Sequence, residues 1–390
     1  MKICDFSDCT GCGMCSNICP TNAIIMTPEL HGFVYPNINN DKCINCGLCV
    51  KKCPANTRKK TECNMKNIYA AWNTDKQIRK NSSSGGVCSL LEKEILKDKG
   101  AVVGVKWNAD FSVSHSIAFN EEQAQIFRGS KYVQSDTGKI YIEIKELLEN
   151  GMKVLFSGTP CQIAALKSFL GKDYDLLVTV DLVCHGVPPY EFFEKYLNEI
   201  SGKSGRKISN INLRYKSPYW DYCSVRIDFE DGTYYQKYTV DDSYFTLFNI
   251  GYTLRESCHK CRYTTVHREG DITLADFWGY QPSGFKMMNY NKGISLVAVN
   301  TDKGNELFER IKKHLVFEEK TVGEALKTNK ALSEPFTLPE DKMENFWNDY
   351  ESGVSVDDLF RKYVPEPFKM PNLLMLRRIK YKYNWVIKHK

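Results

Sequence analysis

Two groups of four cysteines near the start of the sequence have the spacing of iron–sulfur ligands. Each group reads C-x2-C-x2-C-x3-C and is followed by proline, at residues 9–20 and 43–54. This pattern is typical of bacterial ferredoxins with two 4Fe-4S clusters, in which three cysteines of a group bind one cluster and the fourth reaches the other cluster. The predicted ligands are Cys9, Cys12, Cys15 and Cys53 for cluster one, and Cys43, Cys46, Cys49 and Cys19 for cluster two.

A structural zinc module is the alternative, because zinc also binds pairs of cysteines separated by two residues. Zinc needs only four ligands, whereas this region offers two repeated sets that each end in Cys-Pro. The cluster interpretation is therefore favoured, and it makes electron transfer part of the function. Gly11, Gly13 and Gly47 are expected to let backbone N–H groups approach the cluster sulfurs.

The composition indicates a globular protein of a reducing compartment. The net charge is +6 over 390 residues, and the acidic and basic residues are mixed, so no nucleic-acid partner is predicted. The first residues do not form a secretion signal, and no run approaches the ~20 apolar residues of a membrane helix. Sixteen cysteines in such a chain predict a cytoplasmic location and metal-bound thiols rather than disulfides.

The predicted fold class is α+β for a small ferredoxin-like module and α/β for the body that follows it. The module ends near Lys60. The body continues with a β-rich insert, in which Asp231-Gly232 signals a hairpin. The predicted domains are residues 1–60, 65–150 and 151–320, with a helical basic tail at 321–390.

A βαβ unit between residues 154 and 183 is the most informative part of the body. An apolar strand at 154–156 leads through a turn into a helix, and a second apolar strand ends at residue 183. The two strands are expected to be parallel, which places Cys161 and Cys184 just beyond their carboxyl ends. Open α/β sheets bind ligands at this edge.

Cys258 and Cys261 form another C-x2-C pair, which could complete a metal site with Cys161 and Cys184. Four thiolates suffice for a third 4Fe-4S cluster, but the spacing also leaves open a zinc site or unrelated buried pairs. His185 could supply a proton near neutral pH, or it could only hydrogen-bond a cluster sulfur or a backbone carbonyl. The cysteines expected to bind no cluster are Cys4, Cys63, Cys88 and Cys223.

Two polar segments of the body could contact a ligand. Residues 81–86 read Asn-Ser-Ser-Ser-Gly-Gly and precede a helical pattern, so backbone N–H groups there could face a phosphate or a ring carbonyl. An ordinary serine-rich N-cap is the alternative. Lys131, in the second segment, could bind an anion or could be a solvated surface lysine.

In combination these segments resemble the beta subunits of coenzyme F420 hydrogenase and dehydrogenase, over roughly residues 65–310. Members of this family with an N-terminal two-cluster ferredoxin also occur. Pro189 and Ala275 depart mildly from the family, in which serine and glycine are common at these places. The resembling segments, in the family's order, are 82–86, 129–132, 158–162, 184–188, 257–261 and 271–279.

The resemblance implies FAD, with 65–150 as the flavin-binding region, and a 4Fe-4S cluster beside it. The implied ligands of this third cluster are Cys161, Cys184, Cys258 and Cys261. The implied flavin contacts are Ser82, Ser84, Gly85, Gly86, Ser130, Lys131, Thr159 and Gln162. Relatives also occur in bacteria in which coenzyme F420 is not expected, so the resemblance supplies the cofactors but not the substrate.

The predicted function is an electron relay, since clusters transfer single electrons and a flavin stores two and exchanges a hydride. A redox protein such as ferredoxin would reduce the N-terminal clusters, and FAD would deliver a hydride to coenzyme F420 or another organic acceptor. The reverse direction uses the same parts. The alternatives are an electron-transfer subunit of a larger hydrogenase or dehydrogenase, with no substrate of its own, and a nonenzymatic iron–sulfur or zinc module without flavin.

Residues 361–390 interleave basic and apolar side chains. A basic amphipathic helix of this kind could make peripheral contact with an anionic membrane. The alternative is a helix that docks on the body with its basic face in water.

Overall fold

The computed structural model describes residues 2–57, 60–283 and 285–364. Most of the predicted amphipathic segment, residues 365–390, lies outside the described residues. Among the helices of the described residues, none is long and apolar enough to cross a membrane.

The N-terminal module consists of two short helices and a hairpin. Each helix begins directly after a glycine in the left-handed conformation, Gly13 with φ of 71° and Gly47 with φ of 70°. Glycine is favoured there because it adopts this conformation without a steric cost, so the chain can turn sharply within each cysteine group. The elements are α1 (Met14–Ile18), β1 (Ile24–Pro28), β2 (Val34–Ile38) and α2 (Leu48–Lys51).

The body is built on one large mixed sheet and one small antiparallel sheet. Its strands in chain order are β3 (Asn67–Asn73), β4 (Ala101–Trp107), β5 (Val113–Ala118), β6 (Val154–Gly158), β7 (Leu177–Leu182), β8 (Ile208–Tyr215), β9 (Ser224–Phe229), β10 (Tyr234–Tyr238), β11 (Ile272–Asp276), β12 (Ser295–Val299) and β13 (Leu315–Lys320). The large sheet has the order β13-β3-β12-β11-β7-β6-β4-β5, and the small sheet has the order β10-β9-β8.

The central strands of the large sheet bring their carboxyl ends to one side. Strands β4, β6, β7 and β11 pair in parallel, and β3 points the same way because two antiparallel pairings separate it from β11. We call this side, where β3, β6, β7 and β11 end, the carboxyl edge. The parallel pairing of β6 with β7 confirms the predicted βαβ unit.

Helices pack on both faces of the large sheet, because successive residues of a strand point to opposite faces. On one face Val102 and Leu155 pack against α4 and α11, and on the other Val103 and Phe156 pack against α6 and α7. The helices of the body are α3 (Lys76–Asn81), α4 (Cys88–Lys97), α5 (Glu121–Ala124), α6 (Ile140–Glu149), α7 (Pro160–Leu170), α8 (Tyr190–Ser204), α9 (Ser243–Asn249), α10 (Glu256–His259), α11 (Asp302–Ile311), α12 (Val322–Thr328), α13 (Glu340–Glu351) and α14 (Val356–Tyr363).

The N-terminal module is packed into the body rather than tethered to it. Met14, Cys15 and Ile24 of the module share one buried cluster with Ile144 of α6 and Ile163 of α7. Burial of apolar side chains across this boundary stabilises one relative position of the two parts. The cysteines assigned to cluster one are therefore held against the sheet that carries the other cysteines.

Regions 65–150 and 151–320 contribute to the same large sheet. Strands β3, β4 and β5 come from the first region, and β6, β7, β11 and β12 come from the second, with β13 at its end. Several elements were not predicted from the sequence: the hairpin β1–β2, the helix α8 and the strands β8 and β13. The hairpin over residues 224–238 was predicted at the Asp231-Gly232 turn and is confirmed.

Candidate functional site

The four cysteines assigned to cluster one lie close together. Burial raises the pKa of the Cys15 thiol, and the negative charges of Cys12, Cys9 and Cys53 raise it further. Cys53 belongs to the second cysteine group, 34 residues after Cys19, which ends the first group. The structure nevertheless brings the thiol of Cys53 to Cys15 of the first group, as the spacing predicts. Cys15 and Cys53 are buried, and Cys9 and Cys12 are partly buried.

Cys4 lies in this group as well, which the sequence did not signal because Cys4 stands outside the repeated spacing. It hydrogen-bonds with the thiols of Cys53 and Cys9, and these bonds raise the pKa of Cys4. The hydrogen bond between Cys4 and Cys9, together with the positive charge of Arg255, lowers the pKa of Cys9 to about 6, although burial opposes this effect. Five thiols therefore surround a position where four ligands are needed.

Replacement of Cys4 and Cys53 by alanine should separate the ligand from the bystander. Cys53→Ala should lower the iron content by about four atoms per chain, because it removes a ligand of one cubic cluster. Cys4→Ala should keep the full iron content. Anaerobic iron and sulfide analysis of the two purified variants checks this, and a loss of about four iron atoms in Cys4→Ala would make Cys4 a ligand.

Three of the four cysteines assigned to cluster two, Cys19, Cys46 and Cys49, lie near one another. Burial raises the pKa of the Cys49 thiol, and the charges of Cys46 and Cys19 raise it further. Cys46 is exposed, and the Sγ of Cys43 lies 3.7 Å from Asn45 Oδ1. A cluster held here would be accessible to an external redox partner.

A zinc ion and a 4Fe-4S cluster place different demands on their cysteine ligands. Among the described residues, no three His, Cys, Asp or Glu side chains converge closely enough to hold one metal ion. A zinc ion gathers four ligands around one centre, whereas a 4Fe-4S cube binds each cysteine through a different iron atom. The two repeated sets of four cysteines supply the number of ligands that two such cubes require.

The third set of cysteines meets at the carboxyl edge. Cys161 lies at the start of α7, Cys184 follows β7, and Cys258 lies on α10. Burial raises the pKa of Cys184 strongly, and the charges of Cys258, Cys161 and Cys261 add to this effect. The turn after Cys184 also packs closely against α10, since a Cβ at position 186 would lie 3.2 Å from the Cβ of Cys258.

The third set lies next to cluster one. Burial raises the pKa of Cys161, and the charge of Cys12 contributes together with those of its own set. Both sets act on the same two tyrosines: burial raises the pKa of Tyr141 and of Tyr263, and the charges of Cys12 and Cys161 raise it further. The hydroxyl of Tyr141 donates a 2.8 Å hydrogen bond to the carbonyl of Cys12. Two sites far apart in sequence are thus neighbours.

His185 lies in an apolar environment. Its ring packs edge-on against Phe248 at 5.3 Å and Phe336 at 5.1 Å between ring centroids. Burial lowers the pKa of His185, and backbone hydrogen bonds at Phe248 and Asn249 oppose this effect only in part. Its Nε2 is buried and has no hydrogen-bond partner among the described residues.

The loop at residues 82–86 lies at the carboxyl edge, but its serine side chains bind the protein backbone. Ser82 Oγ and Ser84 Oγ each donate a 2.7 Å hydrogen bond, to the carbonyls of Ile78 and Ile294. Gly85 permits a close approach, since a Cβ there would lie 2.8 Å from Ser295 N. Gly86 has a φ of +79°, which favours glycine.

The helix after this loop lacks a side-chain cap. Helix α4 has Val87 at its N-cap position and no side-chain cap hydrogen bond. The sequence left an ordinary serine-rich N-cap as an alternative, and the structure contradicts it. Uncapped N–H groups at the start of a helix favour anionic ligands.

The segment around Lys131 packs against the loop at 82–86. Ser130 donates to Ser83 Oγ from its backbone N at 2.7 Å, and the two hydroxyls are 3.0 Å apart. Lys131 Nζ donates to the carbonyls of residues 126–129 at 3.1–3.3 Å, and burial lowers the pKa of Lys131 to about 8. Lys131 is therefore a half-buried structural cation rather than a freely solvated lysine.

Thr159 and Gln162 form a capping box at the start of α7. Thr159 N donates to Gln162 Oε1 at 3.0 Å, and Gln162 Nε2 donates to Ser135 Oγ at 2.9 Å. Thr159 Oγ1 lies 3.1 Å from Cys161 Sγ. These two side chains are therefore satisfied within the protein and fix the position of Cys161.

Arg214 was not predicted, although it is the most prominent cation of the carboxyl edge. It lies on β8 and pairs with Asp276, at the end of β11, at 3.0 Å with 5% of its side chain exposed. Its guanidinium carbon lies 4.9 Å from the ring centroid of Trp278. Its Nε and Nη2 atoms are buried and have no hydrogen-bond partner among the described residues. Two buried donors without acceptors are expected to bind a ligand.

A second unpredicted cation, Lys216, links β8 to the loop at 82–86. Its Nζ donates to the carbonyls of Arg79 at 2.7 Å and Ser84 at 2.6 Å. Burial lowers the pKa of Lys216 to about 7. No sequence motif marks either residue. Arg214 lies on β8 and Lys216 follows it directly, and the sequence did not predict this strand.

A cavity of about 660 Å³ lies away from this edge. Its lining includes Thr57, Lys167, Arg262 and Tyr263. Positive and negative side chains are mixed there, because the lining also contains Glu62 and Glu269. The cavity borders the region between cluster one and the third set but shows no preference for a ligand of one charge.

Two family models match the chain. Residues 151–325 match the model of the C terminus of the beta subunit of coenzyme F420 hydrogenase/dehydrogenase, and residues 8–57 match that of the 4Fe-4S dicluster domain. No curated protein matches the chain. A chain in a solved structure of the xenon-derivatised F420-reducing [NiFe] hydrogenase complex from Methanosarcina barkeri is 18% identical, with a TM-score of 0.48 over 74% of this chain and 94% of that chain.

Proposed function

Residues 151–325 place this chain in the coenzyme F420 hydrogenase/dehydrogenase beta-subunit family, and from this premise we propose that it relays electrons through three 4Fe-4S clusters to a bound FAD. The supporting observation is the proximity of cluster one to the third set of cysteines, at Cys12 and Cys161. Without it, the N-terminal clusters would be separated from the body's cofactor edge.

Cluster two receives electrons from an external protein in this proposal. Cys46 is exposed, and its neighbours Ile44 and Leu48 are exposed by 64% and 37%. Exposed apolar side chains around a redox centre are suited to a transient protein contact. A small redox protein such as ferredoxin fits this surface, and the reverse flow would use the same contact.

The third cluster is held by Cys161, Cys184, Cys258 and Cys261 in this proposal. All four lie at or beside the carboxyl edge, where ligands of α/β sheets bind. His185 packs against the ring of Phe248, and burial lowers its pKa while its hydrogen bonds to the backbone order the turn after Cys184. We therefore assign it a structural role beside the cluster rather than a proton transfer.

FAD is proposed to bind at the carboxyl edge. The uncapped start of α4 is suited to a pyrophosphate, and the buried N–H groups of Arg214 are suited to a polar edge of the ring. Gly85, Gly86, Ser130 and Lys131 shape the backbone around this position. When bound, FAD supplies storage of two electrons and exchange of a hydride with an organic acceptor such as coenzyme F420.

An electron-transfer subunit without a substrate of its own is the second candidate. The family description favours it, because it names a subunit of a hydrogenase or dehydrogenase. Turnover of an organic acceptor by the isolated chain would exclude this candidate. Activity that returns only when a large catalytic partner is added would support it.

An anaerobic count of iron, sulfide and flavin on the purified protein tests the proposal. About twelve iron atoms per chain and one FAD are expected if three cubic clusters are present. About eight iron atoms would remove the third cluster. Zinc in place of iron, or protein without flavin, would contradict the proposed function as a whole.

A further inference from the structure

Arg255 is a buried cation between two of the cysteine sets. It is a large side chain with a relative exposure of 0%. It directly precedes α10, which bears Cys258, and its guanidinium reaches into the N-terminal module. The side chain therefore spans from the proposed third cluster to cluster one.

Each oxygen atom that the guanidinium hydrogen-bonds belongs to a neutral group. Its Nε donates to the carbonyl of Cys9 at 2.6 Å, its Nη2 donates to the carbonyl of Val34 at 3.0 Å, and its Nη1 donates to Gln134 Oε1 at 3.2 Å. The ring of Tyr35 lies 4.1 Å from its guanidinium carbon. Among the described residues, no carboxylate forms an ion pair with it.

The surrounding chain makes room for this charge. Gly11, in the loop of cluster one, has a φ of +64°, and a Cβ there would lie 2.9 Å from Nη1 of Arg255. A glycine at this position therefore lets the guanidinium lie against the loop that binds the cluster. Arg255 is also within electrostatic range of the sulfurs of both Cys9 and Cys258.

A buried charge without a counter-charge is strongly unfavourable, so a buried guanidinium that pairs with no carboxylate among the described residues calls for another anion nearby. A 4Fe-4S cluster with four thiolate ligands has a net negative charge in both of its usual oxidation states. Reduction adds one more negative charge, which a nearby cation stabilises. The net charge around a cluster is among the factors that set its reduction potential.

We propose that Arg255 is the shared counter-ion of cluster one and the third cluster, and that it raises the reduction potentials of both together. The part that concerns the third cluster rests on the proposed function, whereas the part that concerns cluster one rests on the dicluster domain alone. Raising both potentials in parallel keeps the two clusters matched, so an electron can pass between them without a large uphill step.

Variants of Arg255 in the full chain, studied by potentiometric titration with detection of the reduced clusters by EPR, test this assignment. Arg255→Gln removes the charge and should shift the reduced-to-oxidised ratio of cluster one and the third cluster about tenfold toward the oxidised form at a fixed potential, or about 59 mV for a one-electron couple. Arg255→Lys keeps the charge and should stay near the wild type. Cluster two is the internal control.

Arg79→Gln is the matched control variant. Arg79 is also buried, donates to the carbonyl of Gly293 at 2.9 Å and stacks over Trp72, but none of these contacts is a cysteine. Its replacement should leave all cluster potentials unchanged.

Two results would overturn the assignment. One is an unshifted potential of cluster one in Arg255→Gln with its iron retained. The other is an equal defect in Arg255→Gln and Arg255→Lys, since the loss of the forked hydrogen bonds rather than of the charge would then be the cause. If wild-type protein holds only about eight iron atoms, the proposed third cluster fails, and the shift of cluster one still decides the role of Arg255.

Discussion

Replacement of Cys258 by alanine should disconnect the flavin from the N-terminal clusters. The iron content should fall from about twelve to about eight atoms per chain, because one cubic cluster loses a ligand. Clusters one and two should still accept electrons from reduced ferredoxin, but reduction of FAD by this donor should become undetectable. The absorbance of the flavin after anaerobic mixing with reduced ferredoxin measures this directly.

The reason for the large effect is the position of the third set of cysteines. The charge of Cys12 acts on the thiol of Cys161, so the third set adjoins the cysteines assigned to cluster one. Cys63→Ala is the control, since Cys63 is an exposed thiol outside all three sets, and it should keep iron and flavin reduction unchanged. Reduction of FAD in Cys258→Ala at the wild-type rate would show that electrons follow another route.

Replacement of Arg214 by alanine should remove most of the bound FAD. A hydrogen bond from a charged donor contributes about 1.5–3 kcal/mol, so the dissociation constant of FAD should rise roughly 10- to 100-fold. The cause is the loss of two buried N–H donors that have no partner among the described residues. Flavin content after purification and a titration of the apoprotein with FAD measure the change.

Two further variants separate binding from structural damage. Arg226→Ala removes another arginine of the insert, which pairs with Asp228 at 2.7 Å on β9, and should keep full flavin content. Arg214→Lys preserves the charge opposite Asp276 but not the fork of donors, so its thermal stability should exceed that of Arg214→Ala while FAD stays weakly bound. Unchanged FAD affinity in Arg214→Ala would place the flavin elsewhere.

Several side chains that the resemblance implied as flavin contacts hydrogen-bond within the protein instead, and the FAD prediction depends on this. Ser82, Ser84, Thr159 and Gln162 all use their polar atoms within the protein. Of these implied contacts, the backbone of the loop at 82–86 therefore remains for a ligand, and the start of α4, which the resemblance did not imply, is a further candidate. Arg214 adds the side-chain donors that those residues do not provide.

Sequence alone predicted the ligand sets of clusters one and two, because their spacing is a local property. Three thiols within seven residues can bind one cube only if the chain turns tightly, and Gly13 and Gly47 supply those turns in the structure. The βαβ unit was also predictable, since its apolar strands and the Thr-Pro start of α7 are contiguous. The family was recognisable for the same reason, as short motifs in a fixed order.

Tertiary structure alone decided which of these local units are neighbours. The sheet order places β11 beside β7, and β8 packs next to the end of β11, so Arg214 and Asp276 meet although 62 positions separate them. Packing of the module on α6 and α7 brings Cys12 to Cys161 and places Arg255 against Cys9. Spacing along a chain fixes only what a few residues can reach, whereas such distant contacts depend on burial of apolar surface summed over the whole fold.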